Sequence, residues 1–177
     1  MKATGVVRRI DELGRVVIPK EIRKNLRIRE GENMEIYVDA NENIVLKKFS
    51  LMKKLGDFAQ NFTDSIYSFL KHNILITDTD HILATSGPLK KELLGKPLSE
   101  QLLSSIMRRD HVLEKHEKDL SLTPEITITG TYIIYSILCN GDVAGLVLLF
   151  SETEGLTEIE EKVTQIAAQF LTKYLEE

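Results

Sequence analysis

Hydrophobic positions along this chain change their period several times, and each change marks an element. Val6-Val7-Arg8-Arg9-Ile10 and Arg15-Val16-Val17-Ile18 are short β-branched runs that predict two strands. Between them Asp11-Glu12-Leu13-Gly14 reads as a turn in which Gly14 can take a positive φ. Pro19 ends the second run and pre-sets the first turn of a helix. In that helix Lys20, Arg23, Lys24 and Arg27 recur at i, i+3, i+4 and i+7, with Arg27 at or past its end, and Ile22 and Leu26 fall opposite, toward a core. Met34, Ile36 and Val38 then alternate with polar neighbours as a half-buried strand, residues 40–43 make a hairpin loop, and residues 44–48 return. Four short strands and one short helix bury little surface in one copy.

Beyond Ser50 the period becomes helical: Leu55, Phe58, Phe62, Ile66 and Phe69 step by three and four over a helix at 51–70. The expected domains are therefore 1–50 and 51–177, joined by that helix without a Pro/Gly-rich linker. Residues 73–77 and 81–85 are strands flanking a turn at Asp78-Thr79-Asp80, whose aspartates suit local backbone hydrogen bonds better than a metal. Residues 97–107 read as a helix. Residues 108–124 carry four basic and four acidic side chains and read as a mobile charged flap. Three strands follow at 126–129, 132–139 and 143–150, the last two joined through Asn140-Gly141. A helix at 154–177 closes the chain, with Ile159, Val163, Ile166, Ala167, Phe170, Leu171 and Tyr174 as one apolar stripe.

Charge changes the picture most. The chain as a whole carries −4, yet residues 1–30 hold nine Lys/Arg against four acids, a net of +5, which leaves −9 for residues 31–177. A cationic N-terminus on an acidic protein points to a polyanionic partner. The single cysteine, Cys139, cannot form an intramolecular disulfide. The four histidines form no H-E-x-x-H motif, and no phosphate-cradling glycine loop occurs. No catalytic constellation, cofactor or metal is expected. The N-terminus lacks the apolar segment of a secretory signal, and no run approaches a membrane span, so the expectation is a cytoplasmic protein with no membrane partner.

The stretch TGVVRRIDELGRVVIPKEIRKNL, residues 4–26, resembles the AbrB-type swapped-hairpin DNA-binding domain, and the resemblance extends over residues 1–37. It implies a dimer that exchanges hairpins to close a β-barrel, with double-stranded DNA as partner. Arg8, Arg15, Arg23 and Lys24 stand where that family keeps its DNA-contacting basic residues. Lys20 shares their helix face, and Arg9 is a further candidate that points opposite to Arg8 on a flat strand. Lysine at position 24 can neutralise a phosphate but lacks the fork that grips guanine. Asp11 and Glu12 are expected to orient these arginines or the turn.

Farther on, ILITDTDHILATSG and NGDVAGLVLLFSE resemble a small GAF domain, with a PAS-like fold as the nearest alternative. The fold class expected is α+β: a swapped-hairpin barrel followed by an α/β GAF-like domain with flanking helices. Joined in this order, the modules resemble AbrB-family transcriptional regulators of endospore-forming bacteria, activating or repressing sporulation genes. The apolar stripes on helices 51–70 and 155–176 predict a seam for a second copy and, with the head dimer, a tetramer. The GAF resemblance and the charged flap suggest a small-molecule cavity over the sheet, its rim including Asp110 and His111, or else a filled domain used only for assembly. The alternatives are an AbrB-type antitoxin, a transition-state regulator outside sporulation, and a scaffold whose basic patch is incidental. A patterned globular tail counts against the antitoxin.

Overall fold

The computed structural model describes residues 5–50, 52, 55–109 and 111–176. The chain divides into two compact units, Met1–Phe49 and Ser50–Glu177.

The first unit, the head, holds α1 (Lys20–Asn25), β1 (Met34–Val38) and β2 (Ile44–Lys48). β1 and β2 pair antiparallel with Ile36 opposite Leu46 and Val38 opposite Ile44. Their loop is set by Asp39, whose carboxylate accepts from the N–H of Asn41 at 2.8 Å and of Asn43 at 2.9 Å. Among the described residues, the strands expected at 6–10 and 15–18 form no ladder. They flank a turn closed by Gly14 N–H on the Asp11 carbonyl at 3.0 Å, with Gly14 at φ 76° as expected. β-branched residues favour extended backbone, but a ladder needs a second backbone to face. Helix α1 ends before Arg27, which takes φ 53°, so Arg27 leaves the helical face. Leu26, expected to face a core, is 58% exposed. No described residue of the head is buried, and Val7 stands 95% exposed.

The second unit, the body, comprises α2 (Gly56–Leu70), β3 (Asn73–Thr77), β4 (Ile82–Ser86), α3 (Lys90–Leu93), α4 (Glu100–Arg108), β5 (Val112–Ser121), β6 (Thr127–Cys139), β7 (Asp142–Ser151) and α5 (Glu158–Glu176). Its antiparallel sheet has the order β4-β3-β7-β6-β5. Alternation along the strands sends Leu75, Leu148 and Ile134 to one face, packed with Leu102 and Ile106 of α4. Ile76, Val147 and Ile133 go to the other, packed with Ala59 of α2 and Ala167, Ala168 and Leu171 of α5. With both faces covered, β7 can be the continuous apolar run LVLLF.

Several boundaries differ from expectation. Of the linking helix, residues 51, 53 and 54 lie outside the described residues, and α2 itself starts at Gly56. Most of the charged stretch expected as a flap, Val112–Ser121, is strand β5 at the sheet edge, hydrogen-bonded to β6. Backbone pairing is indifferent to side-chain charge, and charges on an edge strand discourage further pairing. Its register breaks between Glu114 and Lys118, whose side chains meet at 3.3 Å. Gly130 interrupts no strand: β6 runs through it, and a Cβ there would strike the Ser151 carbonyl of β7. α5 starts late because Glu160 reaches back to the Thr157 N–H at 2.7 Å, a capping box. Its small buried residues face the sheet, while Ile159 and Ile166 of the expected stripe are 61% and 62% exposed. Phe58 of α2 stacks on Tyr174 of α5 at 5.1 Å, and Phe62 meets Phe170 at 5.5 Å, ring centre to ring centre.

Candidate nucleic-acid interface

Most of the head's described cations stand without internal counterions. Arg8 and Arg9 are exposed on the irregular segment before the turn. Among the described residues, Arg8, Arg9, Lys20, Arg23 and Lys24 take part in no ion pair. Lys20 and Lys24 are exposed on α1, whereas Arg23 is half-buried. The Arg23 Nε is buried without an acceptor, so packing holds the stem in place and no carboxylate competes for the guanidinium.

Arg15 is the exception. Its Nε donates to Asp11 Oδ2 at 2.7 Å, and the other Asp11 oxygen accepts from the N–H groups of Leu13 and Arg15 at 2.9 and 2.8 Å. One carboxylate thus shapes the turn and orients an arginine, as the sequence suggests. Those bonds, led by the Arg15 backbone N–H, hold the Asp11 carboxyl below the ordinary carboxylate range. Arg27 is engaged differently: its carbonyl accepts from Lys48 Nζ at 2.9 Å, and that ammonium also meets Glu32 at 2.9 Å. The bond ties β2 to the end of α1 and leaves the remaining helix cations free of internal pairing.

The body carries a second concave feature. A cleft of about 330 Å³ opens between α4 and strands β5 and β6. Asp110, expected on its rim, lies outside the described residues. His111 is not on it: its ring stacks on Tyr135 at 4.0 Å, and Tyr135 belongs to the face covered by α2 and α5. The polar wall is instead Gln101, Ser104, Ser105 and Arg108 of α4, which the sequence reading passed over. Their i, i+3, i+4, i+7 spacing on one helix face was the available signal. Elsewhere in the body Asp78 accepts from the N–H groups of Asp80 and His81 at 2.7 and 2.6 Å, the turn geometry expected there. Cys139 is buried, with its Sγ 3.7 Å from the Leu175 carbonyl. Among the described residues no helix is long and apolar enough to cross a membrane.

Comparison with known proteins gives each unit a relative. Residues 54–176 match the family described as stage V sporulation protein T C-terminal, transcription factor. Residues 7–52 match the antidote-toxin recognition MazE family of bacterial antitoxins. The head region is 61% identical over 49 residues to the transition state regulatory protein AbrB of Bacillus subtilis, covering 28% of this chain and 50% of that protein. The GAF domain of an Acinetobacter phosphoenolpyruvate-protein phosphotransferase superposes with a TM-score of 0.57 at 15% identity, over 73% of this chain and 84% of that one. The architecture is thus an AbrB-type head followed by a GAF-like α/β body, a mixed α+β class. Over its whole length the chain is 46% identical to stage V sporulation protein T of Bacillus subtilis, covering 100% of both. It belongs to the stage V sporulation protein T family.

Proposed function

We propose that this chain is a DNA-binding transcription regulator of sporulation, acting in the cytoplasm through its head and using its body for assembly and ligand sensing. The observation that carries the reading is the full-length match at 46% identity to a sporulation protein, which includes both modules. The antitoxin match reaches only residue 52 and leaves the folded body unaccounted for. In this reading Arg8, Arg15, Arg23 and Lys24 contact duplex DNA, with Arg9 and Lys20 adding phosphate contacts. Their lack of internal ion pairs, Arg15 excepted, supports them as ligands for a polyanion. The reading assigns the protein no catalytic step.

Two assembly contacts complete the proposal. In the head, an unburied Val7, Val17, Ile36 and Ile44 and a hairpin without a ladder partner among the described residues are what a hairpin-exchanging dimer would cover. In the body, the aromatic stack between α2 and α5 and the outward Ile159 and Ile166 offer a seam for a four-helix bundle with a second copy. Two twofold contacts per chain give a tetramer. The test is binding of operator duplex followed by fluorescence anisotropy across a salt series. Affinity that does not fall with salt, or that survives unchanged when Arg8, Arg15, Arg23 and Lys24 are all replaced by alanine in a folded head, refutes it.

A further inference from the structure

From its chemistry, we infer that the cleft between α4 and the β5–β6 edge is a binding site for a small organic anion with an apolar, ring-sized body. The inference rests on reading the body as a ligand-sensing domain and adds the class of ligand.

The two walls of the cleft differ. Its α4 wall is the polar face Gln101, Ser104, Ser105 and Arg108, and its sheet wall is Val112, Leu120, Tyr132 and Ile134. A ligand filling it must be amphipathic. Charge selects the sign. Glu114 is the strand carboxylate opposite Tyr132 in register, and it is already paired with Lys118 at 3.3 Å. Among the described residues Arg108 has no ion-pair partner, so it is the uncompensated charge of the cleft. The Tyr132 side chain is almost wholly buried, and burial raises its phenol, which stays a neutral hydrogen-bond group. Gln101 is held by accepting the Ser121 N–H at 2.9 Å, which fixes its amide between helix and edge strand. Size sets the rest. A dry cavity of about 150 Å³ holds one benzene ring, so 330 Å³ takes a ring or branched chain plus a charged group.

Phenylacetate, its neutral amide phenylacetamide and the cation phenethylamine share a ring and differ in charge. Titrated into the full chain at millimolar concentration, phenylacetate should raise the melting temperature of the body by about 2–5 °C near ten times its Kd. The amide and the amine should do so at least tenfold less effectively. Arg108→Gln should weaken phenylacetate by about ten- to a hundred-fold while leaving the ligand-free melting temperature in place. Ser104→Phe, which fills the cleft from the exposed helix wall, should abolish the shift by a route that keeps Arg108. Equal stabilisation by acid and amide, no stabilisation by any probe, or a shift that survives both variants overturns the inference. Operator binding without ligand is measured alongside on the same samples. If wild-type protein fails to bind DNA, the regulator reading falls by itself, whereas a lost thermal shift with intact DNA binding removes only the anion site.

Discussion

The head and the body of this chain have comparable shares of β-branched and aliphatic residues but opposite burial. In the body Leu75, Val147, Leu149 and Phe150 are 0% exposed between two helical layers. In the head no described residue is buried. The body satisfies its strands from its own sequence, since β7 has β3 on one side and β6 on the other. Among its described residues, the head has one hairpin with a ladder and a second without. A unit of this size cannot offset its chain entropy with half-exposed valines. The difference teaches that the body builds a core from one copy, whereas the head leaves apolar surface open that the proposed dimer would cover with a second copy.

The sharpest break of that comparison is a cavity in each unit. Phe150→Ala should destabilise the body by about 3–5 kcal/mol at any protein concentration, read from urea melts of the full chain. Ile36→Ala, at 67% exposure, would cost within about 0.5 kcal/mol if the head worked alone. In an exchanged dimer it should cost about 2 kcal/mol or more and make head melting depend on protein concentration. A concentration-independent melt with a negligible Ile36→Ala effect would show the head to be self-sufficient.

Assembly comes next in size. Removing residues 51–177 should leave a dimer that binds a short operator yet loses about 10²- to 10⁴-fold in affinity for a duplex long enough for two heads. Phe170→Glu or Phe62→Glu should halve the mass measured by light scattering. Unchanged mass and unchanged affinity would show that the body plays no part in assembly.

Smaller again is the loss of one cation. Arg23→Ala should lower the slope of log K against log salt by about 0.9 per phosphate contact, about 1.8 in a dimer that duplicates it. Equal slopes and affinities would remove Arg23 from the footprint. The smallest effect is acid sensitivity of the head. Hydrogen bonds to Asp11 and Asp39, led by the Arg15 and Asn43 backbone N–H groups, hold both carboxyls below their usual 3.8. A depressed folded value contributes stability that is present above 3.8 and is lost as pH falls through the lower, folded value. Asp11→Asn should remove part of that acid limb in a pH series of melts and free the Arg15 side chain. An identical acid limb in the variant would show that Asp11 adds nothing to folding.

What the sequence by itself determined were features that depend on a residue and its near neighbours. Pro19 opens α1, Gly14 turns the hairpin, Asp78 bonds the amides of Asp80 and His81, and Asn140-Gly141 joins β6 to β7. The cationic character of the head was legible for the same reason, because net charge and helical spacing are properties of the local chain, whereas the choice of Arg8, Arg15, Arg23 and Lys24 as DNA contacts rests on the family resemblance and remains a proposal. Tertiary structure decided what depends on a facing surface. Residues 112–121 are as charged as a loop, yet β6 offers them a ladder, and backbone hydrogen bonds outweigh polar side chains that reach solvent at an edge. Residues 6–10 have the composition of a strand and find no ladder partner among the described residues. α5 turns Ala167, Ala168 and Leu171 to the sheet and Ile166 outward, a choice that periodicity could not make because both sets lie on one broad apolar stripe. The cleft at Arg108 arises only where α4 packs against β5 and β6: helical spacing marks its polar wall, but the apolar wall opposite is set by the fold. Local chemistry is written residue by residue, whereas burial and pairing belong to surfaces that exist only once the chain has folded against itself or a copy.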